Sequence, residues 1–205
     1  MLRCAITDRS RFSGDEAACQ AALVAQVARL AAAGVDLIQL RERDLSAAAV
    51  TELAYRLQAV LRTHHPAPKL LIHSRADVAI AARADGVHLS SSCDALTPAQ
   101  VRALYAAASL PEPVISISCH TLADVARASG ATFILFGPVF EKVVADVGFG
   151  DKKVSEGTGL DLLHDASLAA APIPVLALGG ITGANAAAVL AVGAAGIAAI
   201  RLFLQ

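Results

Sequence analysis

Four times along this chain a helix-like stretch passes through a joint of small residues into a short apolar strand. The joints are Gly34-Val35-Asp36-Leu37, Ala84-Asp85-Gly86-Val87, Gly130-Ala131-Thr132-Phe133 and Gly193-Ala194-Ala195-Gly196. Their starts lie roughly 50 to 60 residues apart, the length of two βα units of about 25 to 30 residues each. Units of this kind in series make a parallel sheet wrapped by helices, and eight of them close into a barrel. The visible joints then lead into the even-numbered strands. This spacing predicts an α/β protein, a single-domain (βα)8 TIM barrel over residues 1–205. In such a barrel the reactive groups gather where the strands end.

The bulk properties agree. A chain of 205 residues is long enough for one well-buried core and short for a βα barrel. Hydrophobic residues make up 56% and charged ones 17%, which suits strands buried on both faces. No apolar run reaches the roughly 18 residues of a membrane span. Met1-Leu2-Arg3-Cys4-Ala5-Ile6 enters a strand directly, without a signal-peptide plan. Cys4, Cys19, Cys93 and Cys119 show no CxxC spacing, so free thiols and a cytoplasmic location are expected. A net charge of -1 argues against nucleic-acid or membrane partners held by bulk electrostatics. Any phosphate site must be local.

Strands are expected at 2–7, 36–40, 69–73, 85–89, 114–118, 132–136, 173–178 and about 196–200. Ser13-Gly14-Asp15-Glu16 offers a capping box to a helix reaching about Ala33. Ser46 can cap the next helix, whose stripe of Val50, Leu53, Ala54, Leu57, Val60 and Leu61 has helical spacing. A helix follows at about 75–83. Thr97-Pro98 and Thr121 with Asp124 start two more. Residues 141–157 read as a long polar connection, either a lid or a disordered segment. Only four residues follow Arg201, so the eighth helix is short or missing. That end then needs cover, for which a homodimer contact is the simplest expectation.

Several strand ends carry candidate chemistry. Gly179-Gly180 and the run from Gly196 to Arg201 lie where barrels hold phosphate, with Arg201 able to add a bidentate contact; the alternative is a plain tight turn. Gln39, Arg41 and Arg43 suit an anionic substrate, or else the arginines pair internally with Glu42 or Asp44. His73, Cys93 and His120 lie on neighbouring ends. His120 shares a phase with Ser116 and Ser118 toward the mouth and is the candidate proton shuttle, with a structural role as the alternative. His73, Cys93 and His120 lack any zinc-ligand spacing. His88, inside its strand, reads as a hydrogen-bonded core residue.

Six motifs carry a resemblance in chain order. Gln39-Leu-Arg-Glu-Arg43, Ala84-Asp-Gly-Val-His-Leu89, Ser118-Cys-His-Thr121, Phe136-Gly-Pro-Val-Phe140, Gly179-Gly-Ile-Thr182 with Asn185, and Gly193-Ala-Ala-Gly-Ile-Ala198 resemble the thiamin phosphate synthase and TenI superfamily. The resemblance implies a (βα)8 barrel, usually dimeric, that binds a thiazole phosphate. It implies substrate contacts from Gln39, Arg41, Arg43, His73 and Gly137, phosphate contacts from Gly179, Gly180, Ile200 and Arg201, and an acid–base role for His120. Serine is usual at the position of Arg201.

Two chemistries occur in that superfamily. A synthase joins hydroxymethylpyrimidine diphosphate to the thiazole phosphate and releases pyrophosphate, with magnesium on the diphosphate. A TenI-type tautomerase moves a proton on the carboxylated thiazole phosphate without metal. The synthase pattern places Asn-Asp after the third strand and Asp after the fourth, where this chain has His73-Ser74 and Cys93-Asp94. Serine and cysteine are poor magnesium ligands. Arg41-Glu42-Arg43, Val139-Phe140-Glu141 and His120 match the TenI pattern. The leading expectation is therefore a metal-free thiazole tautomerase with no cofactor. The alternatives are a divergent synthase, which would use Mg2+, and a non-catalytic phosphate-binding barrel.

Overall fold

The computed structural model describes residues 1–145 and 152–204. Each joint is a helix C-cap followed by a strand start. Gly34, Arg83, Gly130 and Gly193 occupy the left-handed region, with φ of 73°, 52°, 83° and 104°. After three of them the next N–H reaches back five residues, from Val35 to Leu30, Ala84 to Ala79 and Ala194 to Val189, closing the helix. The small residue at that position (Val35, Ala84, Ala131, Ala194) is buried in the outer core. At the next position a polar side chain accepts the backbone N–H of the preceding strand. Asp36 Oδ2 takes Arg3 at 2.7 Å, Asp85 Oδ2 takes Leu70 at 2.9 Å and Thr132 Oγ1 takes Ile115 at 3.0 Å.

These joints arrange β1 (Leu2–Ile6), β2 (Leu37–Leu40), β3 (Lys69–His73), β4 (Gly86–Leu89), β5 (Val114–Cys119), β6 (Phe133–Phe136), β9 (Val175–Leu178) and β10 (Gly196–Ala199) into a closed parallel barrel. The barrel closes through β1 on β10, with Cys4 opposite Ala198. Around it lie α1 (Glu16–Ala32), α2 (Ala47–Leu61), α3 (Ala76–Ala81), α4 (Pro98–Ala107), α5 (Leu122–Arg127), α6 (Gly159–Ala170) and α7 (Ala186–Ala191). The fold is a TIM barrel.

Strand alternation separates two cores. Ile38, Leu40, Leu70, Ile72, Ile115 and Ile134 pack outward with the helices. Cys4, Ile6, Leu37, Leu71, Phe133, Leu135, Leu176 and Ala198 fill the barrel interior. Gln39, His88 and Ser116 are also buried, and they share the inward phase on β2, β4 and β5. The interior is thus apolar toward β6, β9, β10 and β1, and polar at the upper ends of β2 to β5.

Caps at Ser46, Thr97 and Thr121 form as expected, the latter two as full capping boxes. The first helix differs. Asp15, not Ser13, accepts from Ala18 N–H at 2.8 Å. Glu16 cannot complete a box, because with Asp15 as the cap it is the first helical residue rather than the third; its carboxylate accepts from Arg9 Nε and Gln20 Nε2. The connection over 141–157 also differs, since it contains β7 (Lys142–Ala145) paired antiparallel with β8 (Lys152–Ser155). Val143, Val144 and Val154 supply β-branched residues on both arms. The lid expectation falls partly on residues 146–151, which lie outside the described residues.

The eighth helix is reduced to a 3-10 turn at Arg201–Phe203. Phe203 is buried in the outer core, and Gln26 of α1 donates to its carbonyl at 2.6 Å. α1 thus contacts the chain at this end of the barrel. Among the described residues no helix is long and apolar enough to cross a membrane.

Strand contacts leave no room at two joint glycines, Gly86 and Gly196. A Cβ on Gly86 would lie 1.8 Å from the Val114 carbonyl oxygen, whereas one on Gly183 meets nothing within 4 Å. Gly86→Ala is expected to destabilise the barrel by at least about 3 kcal/mol, and Gly183→Ala to stay within about 0.5 kcal/mol of wild type. Urea unfolding of the two variants checks this.

Candidate active site at the barrel mouth

The upper ends of β2 to β5 build one polar group. Gln39 is 2% exposed and donates from Nε2 to His73 Nδ1 at 3.0 Å. The His73 proton then resides on Nε2. His73 stacks on His88 with centroids 5.4 Å apart and planes 17° from parallel. His88, as expected a buried hydrogen-bonded residue, is held between Ser116 Oγ at 2.8 Å and Ser118 Oγ at 2.9 Å. Gln39 Oε1 is buried and has no hydrogen-bond partner among the described residues. A buried amide oxygen without a donor is costly unless something that binds supplies one.

Arg41 is half-buried and Arg43 exposed above this group. Among the described residues neither forms an ion pair with a carboxylate. The internal pairing with Glu42 or Asp44 is therefore replaced by a different one. Both acids are taken by Arg9, whose Nη1 lies 3.1 Å from Glu42 Oε2 and whose Nη2 lies 2.7 Å from Asp44 Oδ2. Glu42 further accepts from Thr7 Oγ1 at 2.6 Å and from the Arg9 N–H. Asp8, which also acts on Arg41, pairs with Arg11 at 2.9 Å. Burial and the neighbouring Arg43 charge lower the Arg41 pKa. Arg9 was not among the candidates read from sequence. Its signal was there, since Thr7-Asp8-Arg9 follows β1 as directly as Arg41 to Asp44 follow β2.

His120 stands exposed at the end of β5. Its Nδ1 contacts the Gly137 carbonyl oxygen, which can only accept, so Nδ1 carries the proton. Nε2 is then the lone-pair nitrogen of the neutral ring. The His120 N–H donates to Asp124 Oδ2 at 2.9 Å. Gly137 is buried where β6 meets the end of β9.

The Gly179-Gly180 turn has φ of 94° and 65°. A Cβ on Gly179 would fall 2.6 Å from Pro138 Cα, and one on Gly180 2.6 Å from Phe140 Cβ. Both glycines are thus demanded by the close approach of the segment after β6 as well as by φ. Asn185 secures the turn, donating to the Gly180 carbonyl at 2.9 Å and accepting from Thr182 N–H at 2.8 Å. Ile200 is half-buried against the interior core, and Arg201 is exposed beside it. The sequence candidates therefore fall into two groups. Gln39, Arg41, Arg43 and His73 lie on β2–β3, while Gly179, Gly180, Ile200 and Arg201 lie on β9–β10. His120 and Gly137 sit at the ends of β5 and β6, between them.

The places where a synthase carries magnesium ligands hold Ser74 and Cys93. Ser74 is turned at φ 58°, its N–H donating to the His88 carbonyl at 2.8 Å. Cys93 is exposed, and its neighbour Asp94 supplies a carboxylate. Among the described residues no three His, Cys, Asp or Glu side chains are placed to hold a metal ion. A hydroxyl and a thiol do not fit a cation that requires hard oxygen donors. Cys93 lines a cavity of about 480 Å³ with Ser90, Ser118, Asp124 and Arg127, beside the mouth.

Burial, then the Arg41 and Arg43 charges, push His73 down from 6.5 to about 4. Burial, then His73 and Arg41, push His88 to about 3. Both imidazoles are neutral in the folded protein at neutral pH. Below pH 6.5 the unfolded chain takes up these protons while the folded barrel does not, so the unfolded state gains. Stability is expected to be full above pH 6.5 and to fall on acidification toward about 4, with His88 alone contributing about 1.4 kcal/mol per pH unit. Urea midpoints from pH 7.5 to 4 test this: His88→Gln should flatten the slope, and an unchanged slope refutes the assignment.

Comparison with known proteins accords with this architecture. A family model described as thiamine monophosphate synthase matches residues 5–203. A putative thiamine-phosphate synthase of Geobacter sulfurreducens is 40% identical over 201 residues, spanning 97% of this chain and 84% of that protein. Putative thiamine-phosphate synthase 2 of Aquifex aeolicus is 32% identical, spanning 98% of this chain and 96% of that protein. The solved thiamine phosphate pyrophosphorylase of Pyrococcus furiosus superposes with a TM-score of 0.75 at 26% identity, over 97% of this chain and 85% of that one. With a closed barrel and the six motifs in order along its strands, the chain belongs to the thiamine monophosphate synthase family.

Proposed function

We propose that this protein, an enzyme of thiamin biosynthesis, is a thiamine-phosphate synthase joining hydroxymethylpyrimidine diphosphate to a thiazole phosphate. The relatives favour this over the metal-free tautomerisation that the motifs alone placed first, since they carry the synthase name. One observation at the site carries the reading. A buried, unpartnered Gln39 amide oxygen lies on the same strand end as two arginines without carboxylate partners. An amine-bearing ring with an anionic tail supplies what each of them lacks.

In this reading the pyrimidine donates its amino N–H to Gln39 Oε1, with its diphosphate toward Arg41 and Arg43. Gly179, Gly180, Ile200 and Arg201 hold the thiazole phosphate across the mouth, and Gly137 borders the thiazole. The bond between the pyrimidine methylene carbon and the diphosphate oxygen breaks, and pyrophosphate leaves with the electron pair. The thiazole nitrogen then bonds to that carbon. Positive charge develops on the pyrimidine during this step. His73 and His88, held neutral by burial, add no charge to oppose it.

His120 supports tautomerisation as a second reading. With Nδ1 held by the Gly137 carbonyl, its Nε2 can take a proton from one thiazole atom and return it at another. Incubation of the purified protein with both substrates decides between them. Thiamin phosphate is expected, and its absence at saturating substrate refutes the synthase reading. Gln39→Ala is expected to lower kcat/KM by about tenfold or more, the cost of one lost hydrogen bond to the substrate. His120→Ala is expected to retain synthesis; loss of thiazole tautomerisation alone in that variant points to the second reading.

A further inference from the structure

We propose that this barrel grips the diphosphate with its own cations and without a divalent metal, and that Arg9 makes the grip possible by holding Glu42 and Asp44 away from Arg41 and Arg43. The inference rests on the synthase reading and concerns the same mouth. It starts from the donor set. A magnesium-held diphosphate needs carboxylates after β3 and β4; Ser74 and Cys93 stand there, and Asp94 beside Cys93 belongs to no group of three acidic, His or Cys side chains placed to hold a metal among the described residues. The charge of the diphosphate must then be met by the chain.

Arg41 and Arg43 are the cations on the neighbouring strand end, in a stretch that alternates arginine and acid, Arg41-Glu42-Arg43-Asp44. Left to itself such a stretch neutralises its own charge. Arg9 prevents this from the adjacent strand end. Its fork takes both Asp44 oxygens at 2.7 Å and Glu42 Oε2 at 3.1 Å, and its Nε takes Glu16 at 2.8 Å. Arg9 itself is only 7% exposed and Glu42 6%, so this pair is buried in the protein, while Asp44 and Glu16 reach it from the exposed surface. A bidentate guanidinium–carboxylate pair fixes its geometry in a way a lysine cannot. The acids are therefore committed, and the two remaining guanidinium groups meet no carboxylate among the described residues. Planar guanidinium forks match phosphate oxygens in pairs, which replaces the metal's charge with directed hydrogen bonds.

Titration calorimetry with inorganic pyrophosphate tests this without turnover. In EDTA the wild type is expected to bind pyrophosphate as tightly as with magnesium, or more tightly because magnesium competes for the free anion. Binding that requires magnesium overturns the proposal. Arg41→Met with Arg43→Met is expected to weaken binding at least about tenfold; undiminished binding overturns it. Arg9→Met frees Glu42 and Asp44 and is expected to weaken binding about tenfold, and adding Glu42→Gln and Asp44→Asn to that variant to restore it. Should Arg9→Met fail to fold, Arg9→Lys, which lacks the fork for Asp44, is expected to bind more weakly than wild type. Binding equal to wild type in the Arg9 variants overturns the role of Arg9. Metal-free pyrophosphate binding without thiamin phosphate formation would refute the synthase reading and leave the grip standing. Magnesium-dependent binding with product formed would do the reverse.

Discussion

The barrel depends on the hydrogen bond between a joint side chain and the strand before it. At Asp36, Asp85 and Thr132 the oxygen that follows the left-handed turn captures the N–H of Arg3, Leu70 or Ile115. That bond ties each even-numbered strand to its odd-numbered predecessor at the bottom of the barrel, where the ladder begins. It also satisfies an N–H that would otherwise be left where the ladder has not yet begun. The last joint carries Ala195 instead of a polar residue, and there the backbone does the work. Ala195 N–H donates to Val175 and its carbonyl accepts from Leu2, which closes the ring. With the register set at the bottom, the upper strand ends fall at set heights, and the chemistry is displayed there.

At the top the organising fact is a division of charge. Burial keeps His73 and His88 neutral, and a buried Arg9 pairs with three carboxylates, the buried Glu42 and the exposed Glu16 and Asp44. Arg41 and Arg43 are thereby left on this side of the mouth without a carboxylate ion pair among the described residues. The opposite side works through backbone instead. Gly179 and Gly180 turn in the left-handed region because Pro138 and Phe140 lie too close for any side chain. The two sides of the mouth are thus built differently, one from side-chain cations and the other from a tight glycine turn.

Much of this was legible in the residues. The even strands could be placed because glycine, a small residue and Asp or Thr recur at a spacing that local sequence displays. Thr97-Pro98 and Thr121 with Asp124 became capping boxes because a cap involves only neighbours. Ser13 did not become a cap, because the helix starts at Glu16 and Asp15 takes the capping position. The hairpin of β7 and β8 was missed because glycine and lysine obscured its short valine arms. Arg9 itself was overlooked for want of any local sign that it would be buried.

The sequence by itself determined the barrel, the position of its strands, and which residues reach the mouth, because periodicity and caps act over a few residues. Only the tertiary structure decided the partners. Glu42 and Asp44 turn to Arg9, 33 and 35 residues away, rather than to the arginines beside them. Gln39 spends its amide N–H on His73 and leaves its oxygen unpaired. His120 receives its tautomer from a carbonyl 17 residues on. Each choice compares an adjacent partner with one brought by another strand, and that comparison exists only after the strands have closed.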